Sequence, residues 1–125
     1  MLDGNMDEAR IVLEKLVEEK YVDDYRYSCA YARDKASIAG WGAVKIRYML
    51  RAKGVAGEVI DAAIEEIDES KADQRLMKLM LSKYKSLKDD PQARMKLIRY
   101  AVGRGYSYDE VTSVFNQIIK NDEDI

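Results

Sequence analysis

Three stretches of this 125-residue chain repeat one another at a fixed offset of 51 residues, and no other feature limits its possible folds as strongly. The apolar set Ala9, Val12, Leu13, Leu16 recurs as Ile60, Ala63, Ile64, Ile67 and again as Val111, Val114, Phe115, Ile118. Each set is spaced i, i+3, i+4, i+7, the period of one face of an amphipathic helix. The registration extends outward, with Ile46, Met49, Leu50 and Gly54 falling on Leu97, Tyr100, Ala101 and Gly105. A period of this size marks a supersecondary unit used in tandem, in which neighbouring units complete one another's core. Arrays of that kind hold partners more often than they perform chemistry.

The punctuation divides the chain into helices. One is expected over residues 7–20, closing at a turn around Tyr21-Val22. Asp23 or Asp24 then caps a second helix running to 39, since a short carboxylate satisfies free first-turn N–H groups. Gly40-Trp41-Gly42 breaks it. A third helix over 43–53 ends at Gly54, a residue suited to a left-handed C-terminal cap, and a fourth spans 57–68. The next unit repeats the order with a helix over 71–85 and another, opened by Asp90-Pro91, reaching 104. Proline is tolerated in a first turn because its missing N–H would be unbonded there. Gly105 closes that helix, and Ser107 with Glu110 forms a Ser-x-x-Glu capping box for a last helix ending near 120. Residues 121–125 are expected to fray.

The fold class is therefore all-α, with tandem three-helix repeats in an elongated or curved array. The expected domains are the last helix of a truncated first repeat (1–22), a second three-helix repeat (23–70), a third (71–120) and a tail (121–125). By the offset, Gly54 has Asp3 as its counterpart, so the two helices that would complete the first repeat are absent.

The chain has no histidine, the commonest general base and metal ligand. It has no Walker-type phosphate loop and no Rossmann fingerprint. Cys29, with no histidine partner and Ala30 beside it, reads as a small core residue rather than a nucleophile. No catalytic residue, metal site or cofactor is expected. The lone cysteine forms no internal disulfide and suits a reducing compartment. With no run of about 18 apolar residues and no charged-then-apolar leader, the expectation is a soluble, cytoplasmic monomer without membrane contact.

The net charge of −2 hides strong segregation. Residues 26–53 carry seven Lys/Arg against Asp34 alone, and residues 54–74 carry seven Asp/Glu against Lys71 alone. Residues 75–104 return to nine basic and two acidic, and residues 105–125 hold five acidic and one basic. Two readings stand. Neighbouring helices pair opposite charges and stay soluble, or the array offers a basic stripe to a polyanion or an acidic protein groove. Arg47 and Arg51 stand at i, i+4 away from Ile46, Met49 and Leu50, a like-charge spacing that costs roughly a few tenths of a kcal/mol. Lys45 begins a helix at the end where the dipole disfavours a cation. Arg26 and Arg33, seven apart, share another face. These placements favour a partner surface.

Tyrosine is abundant. Tyr25 and Tyr100 fall on Leu76 and Met49 across the repeat, so core packing is the default for both. Tyr48 beside Arg47 is placed either for packing or for stacking on an unpaired base. Trp41 between two glycines reads as an anchor wedging the turn against the core, with a binding role as the alternative.

The string Tyr21-Val22-Asp23-Asp24-Tyr25-Arg26-Tyr27, then Gly40-Trp41-Gly42, then Lys45-Ile46-Arg47-x-x-Leu50-Arg51-x-Lys53-Gly54-Val55, resembles the RecX family of recombination regulators. The resemblance covers essentially the whole chain and is strongest from Tyr21 to Ile67. It implies tandem three-helix repeats and negative control of the RecA recombinase. RecX-like proteins bind the RecA–single-stranded-DNA filament along its groove and limit its growth. They suppress its ATPase, strand-exchange and co-protease activities, without being enzymes themselves. Carried onto this chain, the basic motif positions Arg26, Arg33, Lys45, Arg47, Arg51 and Lys53 would face the filament, with single-stranded DNA contacted inside it. Asp23, Asp24, Trp41, Gly42 and Gly54 match the motif as caps, turn and anchor. RecX-like chains carry three complete repeats, and this one departs from them in its first. The runner-up reading is a nucleic-acid-binding helical repeat protein that needs no RecA. A sequence pI of about 5.3 weighs against it. The third is a scaffold with no DNA involvement.

Overall fold

The computed structural model describes residues 2–123 as six helices: α1 (Leu2–Ser37), α2 (Ala43–Ala52), α3 (Gly57–Glu65), α4 (Glu69–Leu87), α5 (Ala93–Gly103) and α6 (Tyr108–Glu123). They form two three-helix units. In the first, α1 packs on α3 and α2; in the second, α4 and α5 pack on each other and on α6. No strand occurs among the described residues.

The helix starts and stops follow local chemistry. Asp68 caps α4 by accepting from the Ser70 N–H at 2.9 Å. Ser107 accepts from the Glu110 N–H at 3.2 Å and donates to the Glu110 carboxylate at 2.9 Å, as expected of the capping box. Gly54 closes α2 with φ +86°, and the Val55 N–H reaches back to the Leu50 carbonyl at 3.2 Å, a Schellman closure. Its counterpart Gly105 has φ +100°. Residues 121–123, expected to fray, continue α6, while 124–125 lie outside the described residues.

Two expectations are corrected. The turn at Tyr21-Val22 does not exist, and Asp23 and Asp24 cap nothing, because α1 runs unbroken through them. The reason is local. No glycine or proline stands between Asn5 and Ala39, and tyrosine and valine each cost a helix only a few tenths of a kcal/mol, roughly. The helix of Asp90-Pro91 also begins later than expected, at Ala93, because Gln92 has a non-helical backbone (φ −104°, ψ 22°). Asp90 still serves that turn. Its side chain accepts from the Gln92 N–H at 2.8 Å and from Lys96 Nζ at 2.6 Å.

Each unit has its own core. In the first, Ile46 and Leu50 of α2 and Ile60 of α3 close on Ala32 and Ala36, small residues that let α1 approach. In the second, Leu76, Met80 and Leu97 meet Val111 and Phe115. The Ile60 and Val111 stripes are thus both turned inward, as the repeat requires.

The units meet backbone to backbone. The Gly42 N–H donates to the Arg104 carbonyl at 2.8 Å and the Val44 N–H to the Gly105 carbonyl at 2.9 Å. Carbonyls of the second unit thereby satisfy first-turn N–H groups of α2, which has no side-chain cap. A Cβ at Gly42 would lie 2.4 Å from the Gly105 oxygen, and one at Gly105 would lie 2.3 Å from Lys45 Cβ. Arg104 adds a bond from its guanidinium to the Ala39 carbonyl at 3.3 Å. The relative placement of the units therefore depends on two positions where no side chain fits.

Candidate partner-binding surface

On α1, Tyr27, Tyr31 and Lys35 recur every fourth residue and so form one stripe along the flank facing α2. Tyr27 and Tyr31 pack with ring centroids 5.9 Å apart. The turn after α1, held by the Trp41 N–H on the Lys35 carbonyl at 2.9 Å, brings Trp41 edge-on to Tyr31 at 6.4 Å. Trp41 also packs against the first core, the anchor role expected of it.

Three ammonium groups converge on these rings from three places in the chain. Lys35 Nζ lies 4.8 Å from the Trp41 centroid and 5.5 Å from that of Tyr31. Lys45, at the start of α2, lies 4.5 Å from Trp41. Lys53, at its end, lies 5.7 Å from Tyr31. Ring quadrupoles attract such cations by roughly 0.5–1 kcal/mol each at exposed sites. That attraction offsets part of the mutual repulsion of the three charges. None of the three lysines is in an ion pair among the described residues. The result is a cationic patch with a fixed aromatic floor, open to an anion: a phosphate or a carboxylate.

The six expected basic residues do not share one surface. Lys45 and Lys53 belong to the patch. Arg47 turns to the other flank of α2, where it is paired with Asp61 of α3, as the alternative reading of neutralised neighbouring helices anticipates. Arg51 points outward with Val44 and Tyr48, whose ring is 70% exposed and so outside the core. Arg26 and Arg33 lie on the flank of α1 opposite Tyr31, and Arg33 lines a groove with Tyr25, Glu66 and Asp68. Lys35 and Tyr31, which the structure brings into the candidate patch, were not among the expected residues. Their signal was the Tyr27, Tyr31, Lys35 spacing, which a search for basic motif positions passes over.

Between the units lies a cleft of about 650 Å³ whose charged lining is Arg47, Asp61, Glu65, Glu69, Asp73, Arg75 and Glu110. Carboxylates outnumber guanidinium groups there, so the cleft does not attract an anion as the lysine patch does. Tyr25 donates to Glu66 Oε1 at 3.3 Å, and its phenol is pushed up to about 12, first by side-chain hydrogen bonding with Cys29, then by burial and by the Glu66 carboxylate. Its contribution to stability is present below pH 10.0 and is lost as the pH rises through about 12. Cys29 itself is half-buried rather than a core residue. No group of His, Cys, Asp or Glu side chains that would hold a metal ion occurs among the described residues. No helix among the described residues is long and apolar enough to cross a membrane.

The architecture defines an all-α repeat protein of two jointed three-helix units. The chain belongs to the RecX family: the model of the RecX second three-helix domain matches residues 23–64, and that of the third matches residues 71–115. It is 31% identical over 115 residues to the regulatory protein RecX of Clostridium tetani, covering 89% of this chain and 52% of that protein. Against the regulatory protein RecX of Clostridium botulinum it is 30% identical over 117 residues, covering 90% and 54%. The RecX of Streptococcus uberis is 26% identical over 103 residues, covering 82% and 40%. The chain spans about half the length of the curated relatives it matches. No solved structure gives a match.

Proposed function

We propose that this protein is a negative regulator of RecA, binding the RecA–single-stranded-DNA filament and inhibiting its recombinase, ATPase and co-protease activities in DNA repair and the SOS response. The observation that carries this reading is the consecutive match to two RecX three-helix domains. The array reads as the last helix of a first repeat (1–22), a second repeat (23–70), a third (71–120) and a tail (121–125). In this reading the protein is a binding regulator without catalysis, acting in the cytoplasm. Its filament-facing surface is the cationic patch of Lys45 and Lys53, extended by Lys35 over Tyr31 and Trp41. Arg51 lies beside it, and Arg26, Arg33 and Arg47 lie on the adjoining flanks. Two units held at a set angle would bridge neighbouring RecA subunits and oppose their rearrangement during ATP turnover. The filament would then favour whichever state the bridge contacts better, since a ligand shifts an equilibrium only by differential affinity.

The test is DNA-dependent ATP hydrolysis by RecA from the same organism, titrated with this protein at fixed single-stranded DNA. Inhibition is expected well below DNA-saturating amounts, and a Lys35→Gln/Lys45→Gln/Lys53→Gln variant of unchanged helicity is expected to lose it. No inhibition by the folded wild-type chain would sink the RecA reading. Full inhibition by the triple variant would sink only the surface assignment. Arg47 is left out of the variant because reversing it would set two carboxylates together at Asp61.

The unpaired ammonium groups also favour the second reading, nucleic-acid binding without RecA. That reading expects affinity for bare single-stranded DNA to fall log-linearly with salt.

A further inference from the structure

The first apolar stripe of the repeat has no partner among the described residues. Ile60 on α3 and Val111 on α6 are each covered by the two other helices of their unit. Every residue of α1 from 7 to 22 is exposed, with Val12, Leu13, Leu16 and Val17 all more than half so. At about 100° per residue these four fall on one side of the helix together with Ala9. The side that packs against α3 further along α1, through Ala32 and Ala36, is nearly opposite, so the fold of the first unit leaves this stripe free.

The stripe is self-complementary. Laid antiparallel on a second copy, Ala9 meets Leu16 and Val12 meets Leu13, each pair occurring twice. In the same register the flanks bring Arg10 beside Glu14 and Glu8 beside Lys15 of the other copy, again twice each. All four charge contacts are attractive. A parallel pairing would face Lys20, which lies on the line of Ala9, Leu13 and Leu16, with another Lys20 in the middle of the seam. Flank charges of this kind set the orientation of paired helices. The ion pair that Arg10 makes with Asp7 of its own helix, at 3.5 Å, is solvent-exposed and weak.

We infer that the N-terminal half of α1 is a self-association surface on which two copies of this chain pair antiparallel through Ala9, Val12, Leu13 and Leu16. This inference is independent of the RecA reading and replaces the expected monomer with a weak dimer. An interface of one short helix from each copy belongs to the small, readily dissociating class.

Sedimentation equilibrium up to on the order of 100 μM protein tests it. The mass is expected to rise from 14.3 kDa toward twice that value. Leu13→Glu/Leu16→Glu is expected to stay monomeric with unchanged circular dichroism, since neither residue touches a core. Arg10→Glu and Glu14→Arg should each weaken pairing about tenfold or more, because each sets like charges together at two contacts. Mixed in equal amounts, the two single variants should pair with each other as strongly as the wild type does with itself. A wild-type monomer at every concentration overturns the inference and leaves the face to a two-helix hairpin of another protein. A dimer that survives Leu13→Glu/Leu16→Glu overturns it as well. A mixture that fails to recover pairing overturns the antiparallel register.

Discussion

The N-terminal half of α1 and helix α6 carry the same apolar pattern, 102 residues apart, and have opposite fates. Phe115 is 7% exposed and its counterpart Leu13 is 63% exposed. Both segments are helical with an apolar stripe at the same spacing, so the stripe itself does not decide burial. The neighbours do: α4 and α5 close over α6, and nothing among the described residues closes over α1 before residue 23. A periodic stripe is a request for a partner, answered within the unit at one end of this array and left open at the other.

The largest expected effect is a test of that contrast. Phe115→Ala is expected to cost about 3–5 kcal/mol of unfolding free energy, through lost transfer energy and the cavity left behind. Leu13→Ala, measured at concentrations too low for pairing, is expected to stay within about 0.5 kcal/mol of wild type. Urea unfolding followed by circular dichroism compares them, and similar costs would mean that the two stripes are equally packed.

The joint between the units gives the next contrast. Gly105→Ala is expected to lose about 2 kcal/mol or more, because φ +100° and a Cβ 2.3 Å from Lys45 Cβ are both incompatible with a side chain. Two residues earlier, Gly103 ends α5 with open space around its Cβ position, so Gly103→Ala is expected to gain roughly 0.5–1 kcal/mol. Thermal melts of the two variants moving in the same direction would refute this account of the joint.

A smaller difference separates equivalent core positions. The second unit has Leu79 packed at its core, where the first has Ser28, fully buried with no hydrogen-bond partner for its hydroxyl. Ser28→Ala removes that unsatisfied group and improves helix propensity, so a gain of about 1 kcal/mol in unfolding free energy is expected. A loss on denaturant unfolding would show that the hydroxyl is satisfied in solution.

The smallest effect is pH-dependent and confined to the second unit. Hydrogen bonding to Lys96, helped by the Gln92 N–H, lowers the Asp90 pKa below its ordinary 3.8. The stability it contributes is therefore present above pH 3.8 and is lost as the pH falls through the depressed folded value. Asp90→Asn should be less stable than wild type at neutral pH, and the gap should close in acid. A gap independent of pH would refute the assignment of this stability to the ionised carboxylate.

The pattern of legibility follows from what range each signal has. Capping at Ser107, closure at Gly54 and the apolar period of α3 and α6 were legible because each depends on residues within a turn or two. The break expected at Tyr21-Val22 was misread, since aspartates suited to capping were present but no residue there interrupts a helix. The candidate surface was legible by half. Lys45 and Lys53 were picked from the motif, whereas the pairing of Arg47 with Asp61 and the arrival of Lys35 beside Trp41 depend on how α1, α2 and α3 cross.

What this sequence determined by itself is the period and amphipathic faces of its helices, and through its motifs the family, since these depend on local spacing and residue type. Only the tertiary structure decided which faces are covered, which cations stay unpaired and how the two units meet. Those outcomes rest on contacts between residues distant in the chain, such as Gly42 with Gly105, whose energy depends on the three-dimensional approach of two backbones.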